Sequence, residues 1–249
     1  MKKILFLLYA LPFCCFSQSS LIFSEYGEGS SFNKWIELYN PSDAAISLDD
    51  YRFNFCWNGC DSLDWEFSIP FDSGYVLLPG ETYLISHFSA DSVLLNYANQ
   101  TSNLFSNGND VCAIYQLSTS SIIDIIGVFS VAAPNDGWDI GSTTNGTKDY
   151  TLIRNEDVCI GNYGDWSVSD GSIVSQEWQV QQMDYFSDLM MHTNSCTFSA
   201  NQLLQHPQTN KGQLIKRHNA IGQVIGQQNN NIIIEQYQSG IIEKKIIIE

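Results

Sequence analysis

The chain has 249 residues, 44% hydrophobic and 15% charged, with 27 acidic residues against 11 basic ones. A formal net charge of −16 repels phosphate backbones, so direct nucleic-acid binding is not expected. The length allows one large domain, or one domain with a small companion.

Residues 1–18, MKKILFLLYALPFCCFSQ, open with Lys2 and Lys3 and continue as an apolar run. Cys15 and Ser17 suit the cleavage positions. That pattern is a secretory signal peptide. A lipoprotein signal through Leu11–Cys14 is the lesser alternative, because the bulky Phe13 fits poorly before the cysteine. No later run approaches ~20 apolar residues, so no membrane-spanning helix is expected. The exported chain should fold where disulfides persist.

Beyond the leader, the apolar runs are short, rich in Ile, Val, Phe and Tyr, and separated by Gly, Asn, Asp, Ser or Pro. Strands are expected at 21–26, 35–39, 46–55, 75–78, 82–87, 111–116 and 122–129, with more at 150–154 and 173–180. One helix is expected at 90–98, capped by Ser89. So many short strands predict an all-β sandwich or barrel over 19–197, which holds 4 basic and 24 acidic residues. The polar stretch 198–210 reads as a linker. Residues 211–249 are Ile-rich, and NIIIEQY and IIEKKIIIE flank Gln-Ser-Gly as a hairpin would. Residues 198–249 hold 5 basic and 3 acidic residues.

Five cysteines remain after the leader, so at least one is unpaired within the chain. Cys112, in the apolar run DVCAIYQL, reads as a buried free thiol. Cys56 and Cys60 straddle the turn CWNGC, and Cys159 and Cys196 sit in polar, loop-like sequence. The expected bridges are Cys56–Cys60 and Cys159–Cys196.

FSEYGEGSSFNKWIELYNPS, residues 23–42, sets Glu25, Glu28 and Glu37 near Lys34. A charge-paired hairpin is the preferred reading, with Ser30 and Asn33 bonding backbone amides. A calcium site at the three acids is the alternative, and catalysis fits least, because no histidine or nucleophile lies nearby. Gly27 and Gly29 are expected to supply turn conformations closed to other residues. Asn40-Pro41 should end the second strand. In PNDGWDIG, Asp136 and Asp139 read as an Asx-type turn, with a cation site as the alternative. His87, His192, His206 and His218 form no triad-like order, and no H-E-x-x-H, G-x-S-x-G or P-loop occurs. Trp57, Trp65, Trp138, Trp166 and Trp178 read as sandwich aromatics rather than a sugar platform.

Residues 23–42 resemble the opening of the lamin tail domain family in its bacterial secreted branch. The matching positions are Ser24, Glu25, Tyr26, Glu28, Gly29, Ser30, Asn33, Lys34, Glu37, Tyr39, Asn40 and Pro41. LDDYRF (48–53), LLPGETYLIS (77–86), NGNDVCAIY (107–115), IIDIIGVF (122–129) and residues 137–166 are similar to later family segments, so the resemblance covers about 20–196. It implies an immunoglobulin-like β-sandwich. Residues 211–249 resemble a type IX secretion sorting domain through Gly222, Tyr237, Gly240, Glu243, Lys244 and Lys245, with Ala220-Ile221 a mild departure. That resemblance implies the type IX machinery as a partner, and a secreted or outer-surface location reached through the periplasm. The expected function is a non-enzymatic binding or adhesion module with a protein or polysaccharide ligand and no cofactor. The alternative is a metal-dependent secreted hydrolase or an accessory subunit of a secreted nuclease. Beside the module stand only a leader, a linker and a tail, so no nuclease domain is expected within these residues.

Overall fold

The computed structural model describes residues 21–61, 64–134 and 136–196, together with the backbone of three strands at 214–219, 232–237 and 242–246. The strands in chain order are β1 (Ile22–Glu28), β2 (Lys34–Tyr39), β3 (Ile46–Ser47), β4 (Tyr51–Cys56), β5 (Phe67–Pro70), β6 (Val76–Leu77), β7 (Thr82–His87), β8 (Gln100–Ser102), β9 (Val111–Gln116), β10 (Ser121–Ile126), β11 (Tyr150–Arg154) and β12 (Trp178–Gln182). Two short helices, α1 (Ser92–Tyr97) and α2 (Trp166–Ser169), interrupt them.

One sheet has six strands in the order β12-β11-β1-β2-β7-β8, and a second has four, β10-β9-β4-β5. All pairings are antiparallel except β7 with β8. The inner faces meet in one core. Phe23, Ile36, Leu38, Tyr83, Ile85 and Leu152 of the first sheet pack on Phe53, Phe55 and Ile114 of the second. Burying each of these side chains contributes ~1.5–3 kcal/mol against leaving it in water. The fold is therefore the all-β sandwich expected from the alternation of short apolar runs and turns.

Local chemistry moves several boundaries. The expected strand 46–55 breaks at a single 3-10 turn, Leu48–Asp50. The helix begins at Ser92, and its cap is Asp91 rather than Ser89. The Asp91 carboxylate accepts the Val93 amide at 2.8 Å, and a negative charge at a helix start is favourable. β10 stops at Gly127, whose φ of +91° lies in the left-handed region. A Cβ there would also meet the Trp138 ring at 2.6 Å. The last expected strand starts at Trp178, because α2 and a loop occupy the residues before it.

The outer face of the six-stranded sheet is closed as well. Every residue of β1 and of β7 is buried. A second cluster of Trp35, Leu84, Ala90, Leu94 and Leu189 lies on that face, built by α1 and by the segment after β12. That segment, residues 183–196, runs across the sheet as a strap. It ends at Cys196, bridged to Cys159, and Cys56 is bridged to Cys60. Cys112 is free and buried.

In the tail, β13 (Leu214–Asn219), β14 (Ile232–Tyr237) and β15 (Ile242–Ile246) form an antiparallel sheet with β14 in the middle. Tyr237 stands opposite Leu214, and Glu243, Lys244 and Lys245 stand opposite Glu235, Ile234 and Ile233. Gly222, Gly240, the leader and the linker at 198–210 lie outside the described residues.

Candidate functional site

The β1–β2 hairpin carries the polar residues of the N-terminal motif, and its register sorts them. An irregularity between Phe23 and Glu25 places Phe23 opposite Leu38 and Glu25 opposite Glu37. Phe23 thus joins the inner core, while Glu25 and Glu37 share the outer face. Both are sealed there, at 1% and 0% exposure. Glu25 Oε2 accepts the Trp35 indole N–H at 3.1 Å. Glu37 accepts the Ser24 hydroxyl at 2.7 Å and the Met190 amide at 2.5 Å. The strap's Asp188 lies within hydrogen-bonding reach of Glu25.

These carboxyls lack a cationic partner. None of the ion pairs among the described residues involves Glu25, Glu37 or Asp188. Burial, then the charges of Glu37 and Asp188, push Glu25 well above the usual carboxylate range. Burial lifts Glu37 to about 7 against the bonds from Ser24 and Met190, and burial raises Asp188. Desolvation disfavours a charged form, and a neighbouring like charge disfavours it further.

Glu28 behaves differently. It sits at the hairpin end and pairs with Lys34 Nζ at 3.2 Å, while its other oxygen accepts the Asp149 amide at 2.5 Å. Lys34 also donates to the Gly29 carbonyl at 2.6 Å. Lys34 thus neutralises Glu28 alone, and the three acids expected to gather around it are split between two environments. Among the described residues no group of three or more His, Cys, Asp or Glu is placed to hold a metal ion.

The turn residues serve the strap. Asp184 accepts the Ser30 amide at 3.0 Å, the Ser30 hydroxyl at 2.6 Å and the Asn33 side-chain amide at 3.0 Å. Asn33 Oδ1 accepts the Asp91 amide at 2.7 Å, as its backbone-bonding role requires. Ser30 departs from that role, because Asp184 takes its hydroxyl. Tyr39 Oη accepts from Asn194 at 2.9 Å, and the same amide reaches the Pro41 carbonyl at 3.4 Å. Tyr26 donates to the Asn107 carbonyl at 3.1 Å. Asn40 donates to the Ala44 and Leu77 carbonyls beyond the end of β2, at 2.8 and 3.0 Å. Phe186 packs on Trp35 at 5.2 Å, and His192 meets Tyr39 edge-on at 4.6 Å. Met190 holds a φ of +62°, costly for a residue other than glycine, and the hydrogen bond from its amide to Glu37 helps to fix it.

The motif glycines act by size rather than by conformation. Neither Gly27 nor Gly29 has a left-handed φ; Ser31 takes that role at +53°. A Cβ on Gly27 would meet the Trp35 ring at 2.3 Å, and one on Gly29 would meet Asp184 Oδ1 at 2.1 Å.

Asp136 pairs with Lys148 at 2.7 Å on the surface, and Asp139 accepts the Asn145 amide at 2.8 Å within its turn. The two acids do not converge. The tryptophans do not form a shared platform either. Trp166 and Trp178 are buried in the core, Trp138 donates to the Asp110 carbonyl at 2.8 Å, and Trp65 packs on Phe129. Trp57 is exposed at the Cys56–Cys60 turn, where its ring contacts Phe67 at 4.4 Å. His87 stacks on Phe32 at 4.7 Å. Sequence reasoning missed one buried ionic group, Arg154 with Asp124 and Glu177. A single charge inside each of the apolar strands IIDIIG and TLIR was its only trace.

Residues 16–130 match the family model of the Lamin Tail Domain. The match takes in β1 through β10 and supports an immunoglobulin-like sandwich. β11, β12, α2 and the strap, which complete and cover the six-stranded sheet, lie beyond it. No curated protein matches the chain. No helix among the described residues is long and apolar enough to cross a membrane.

Proposed function

We propose that this chain is a secreted or cell-surface, non-enzymatic binding or adhesion module of lamin-tail type, led out by residues 1–18 and delivered through type IX secretion by residues 211–249. The observation that carries this reading is the sealing of Glu25 and Glu37 beneath the strap. The motif that draws attention to acid chemistry offers that pair to no solvent-borne substrate. What the module does offer is aromatic surface on loops. Phe32 and Phe88 are 54% and 55% exposed. Trp57 is held by hydrogen bonds from its backbone amide to the Glu66 carboxylate and from its indole N–H to the Phe105 carbonyl, and by the neighbouring disulfide. Rigid exposed aromatics are the usual anchors of binding surfaces, and the ligand is a protein or a polysaccharide. The two disulfides fit an oxidising compartment.

Cells producing the full chain and a chain lacking 211–249 test the reading together. The full chain should appear at the surface or in the medium, and purified, it should bind the cell envelope saturably, with loss of affinity in Trp57→Ala. The shortened chain should stay folded in the periplasm. Unchanged surface delivery without the tail would refute the route. Plasmid nicking by the purified chain with magnesium or calcium would favour the hydrolase alternative.

A further inference from the structure

The strap is anchored at both ends and pressed down in the middle. β12 pairs with β11 along five positions at one end, and the Cys159–Cys196 bridge holds the other. Between them, Asp188 faces Glu25, Leu189 and Met190 enter the Trp35 cluster, and the Met190 amide reaches Glu37. Two carboxyl groups in hydrogen-bonding reach of one another must share a proton, since like charges so close do not both ionise at low cost.

We propose that residues 183–195 form a proton-dependent strap: a proton held between Glu25 and Asp188 closes it over the outer face of the six-stranded sheet, and release of that proton to solvent lifts it. Two carboxylates then face each other without a counterion, and the strap bows outward while both tethers hold. The groups around the pair support this. β1 brings Glu25 and β2 brings Glu37, and neither has a basic partner. β11 brings Thr151 and Ile153, and β7 brings Thr82, Leu84 and Ser86, all uncharged. α1 contributes Leu94 and Leu95. The strap's other acid, Asp184, is occupied at the turn by Ser30 and Asn33. His192 lies against Tyr39 and is pushed towards the neutral form by burial and by Arg154. Lys34 is engaged with Glu28. Burial raises all three carboxyls, and neighbouring acids add to it at Glu25 and Glu37, so the group holds its proton above the usual carboxylate range. Lifting uncovers Trp35, Leu84 and Leu94, apolar surface that the closed state hides.

Backbone hydrogen exchange on the full exported chain with disulfides intact, at pH 5.5 and 8.5 and corrected for the chemical rate, tests this. Peptides over 183–192 should lose about tenfold more protection at the higher pH than peptides from β4 and β9. Glu25→Gln keeps an acceptor for Trp35 and a neutral partner for Asp188, and should abolish the difference. Asp188→Asn should do the same, should the first variant fold poorly. A strap that changes in step with the core strands in the unmodified chain would overturn the proposal. So would a full pH response in both variants.

Discussion

Arg154 on β11 spans the sandwich to Asp124 on β10, its Nη1 donating to Oδ2 at 2.9 Å with both side chains wholly excluded from solvent. Glu177 takes the other guanidinium nitrogen at 2.7 Å, and the guanidinium lies 4.5 Å from the centre of the Trp178 ring. Asp124 also accepts the Phe23 and Asn162 amides, at 3.0 and 3.1 Å. One carboxylate thereby ties together β10, β1 and the loop before α2. Removing one partner of a buried pair leaves an uncompensated charge, which costs about 3–5 kcal/mol. Arg154→Met should lose that much in urea unfolding, and a loss under ~1 kcal/mol would mean that the backbone amides alone satisfy Asp124.

Gly27 leaves no room for a Cβ against the Trp35 ring, which one would meet at 2.3 Å. Gly27→Ala should displace the Trp35 ring and cost ~1–3 kcal/mol as overpacking does. Near-ultraviolet circular dichroism should report the ring, and calorimetry the stability. An unchanged spectrum and melting point would show that the hairpin has room it does not display.

The Cys159–Cys196 bridge closes a span of 37 residues and Cys56–Cys60 one of 4. On the loop-entropy account these contribute about 4 and 2 kcal/mol. Cys159→Ser should therefore destabilise more than Cys56→Ser. Cys112 should resist alkylation in the native state, because its thiol is buried and its pKa is pushed above the usual thiol value by that burial. Equal costs for the two bridges, or rapid native alkylation of Cys112, would contradict this.

Stability should fall as pH rises towards neutrality. Burial holds Glu25 and Glu37 above the usual carboxylate range, Glu37 at about 7, and raises Asp110 to about 6. An acid raised on folding contributes stability that is complete below its unfolded pKa and is lost as pH climbs through its folded one, at ~1.4 kcal/mol per pH unit for each proton. His192, lowered from 6.5 to about 4 by burial and Arg154, opposes this only below its unfolded value. The melting temperature should therefore decline between about pH 5 and 8. Glu37→Gln should flatten the decline, and a rising curve would refute it.

Sequence alone was enough for most strands of the inner core and for both disulfides, because period-two alternation and cysteine placement are local signals. The strap was not legible. Its bonds join residues more than 150 apart, as Met190 to Glu37 and Asp184 to Ser30 do, and DYFSDLMMH has no strand or helix period. Without the strap, Glu37 between Ile36 and Leu38 reads as a solvent-facing position. β5 and β8 were missed because FSIP and QTS are too short for periodicity to register.

A calcium-titrated thermal melt tests most directly whether the motif carboxylates serve the strap rather than a cation. With Lys34 on Glu28, and with Trp35, Ser24 and Met190 donating to Glu25 and Glu37, the melting temperature in millimolar calcium should match that in chelator to within about 2 °C, and Glu25→Gln should not alter the difference. A rise of many degrees that disappears in Glu25→Gln and in Glu37→Gln would contradict the account.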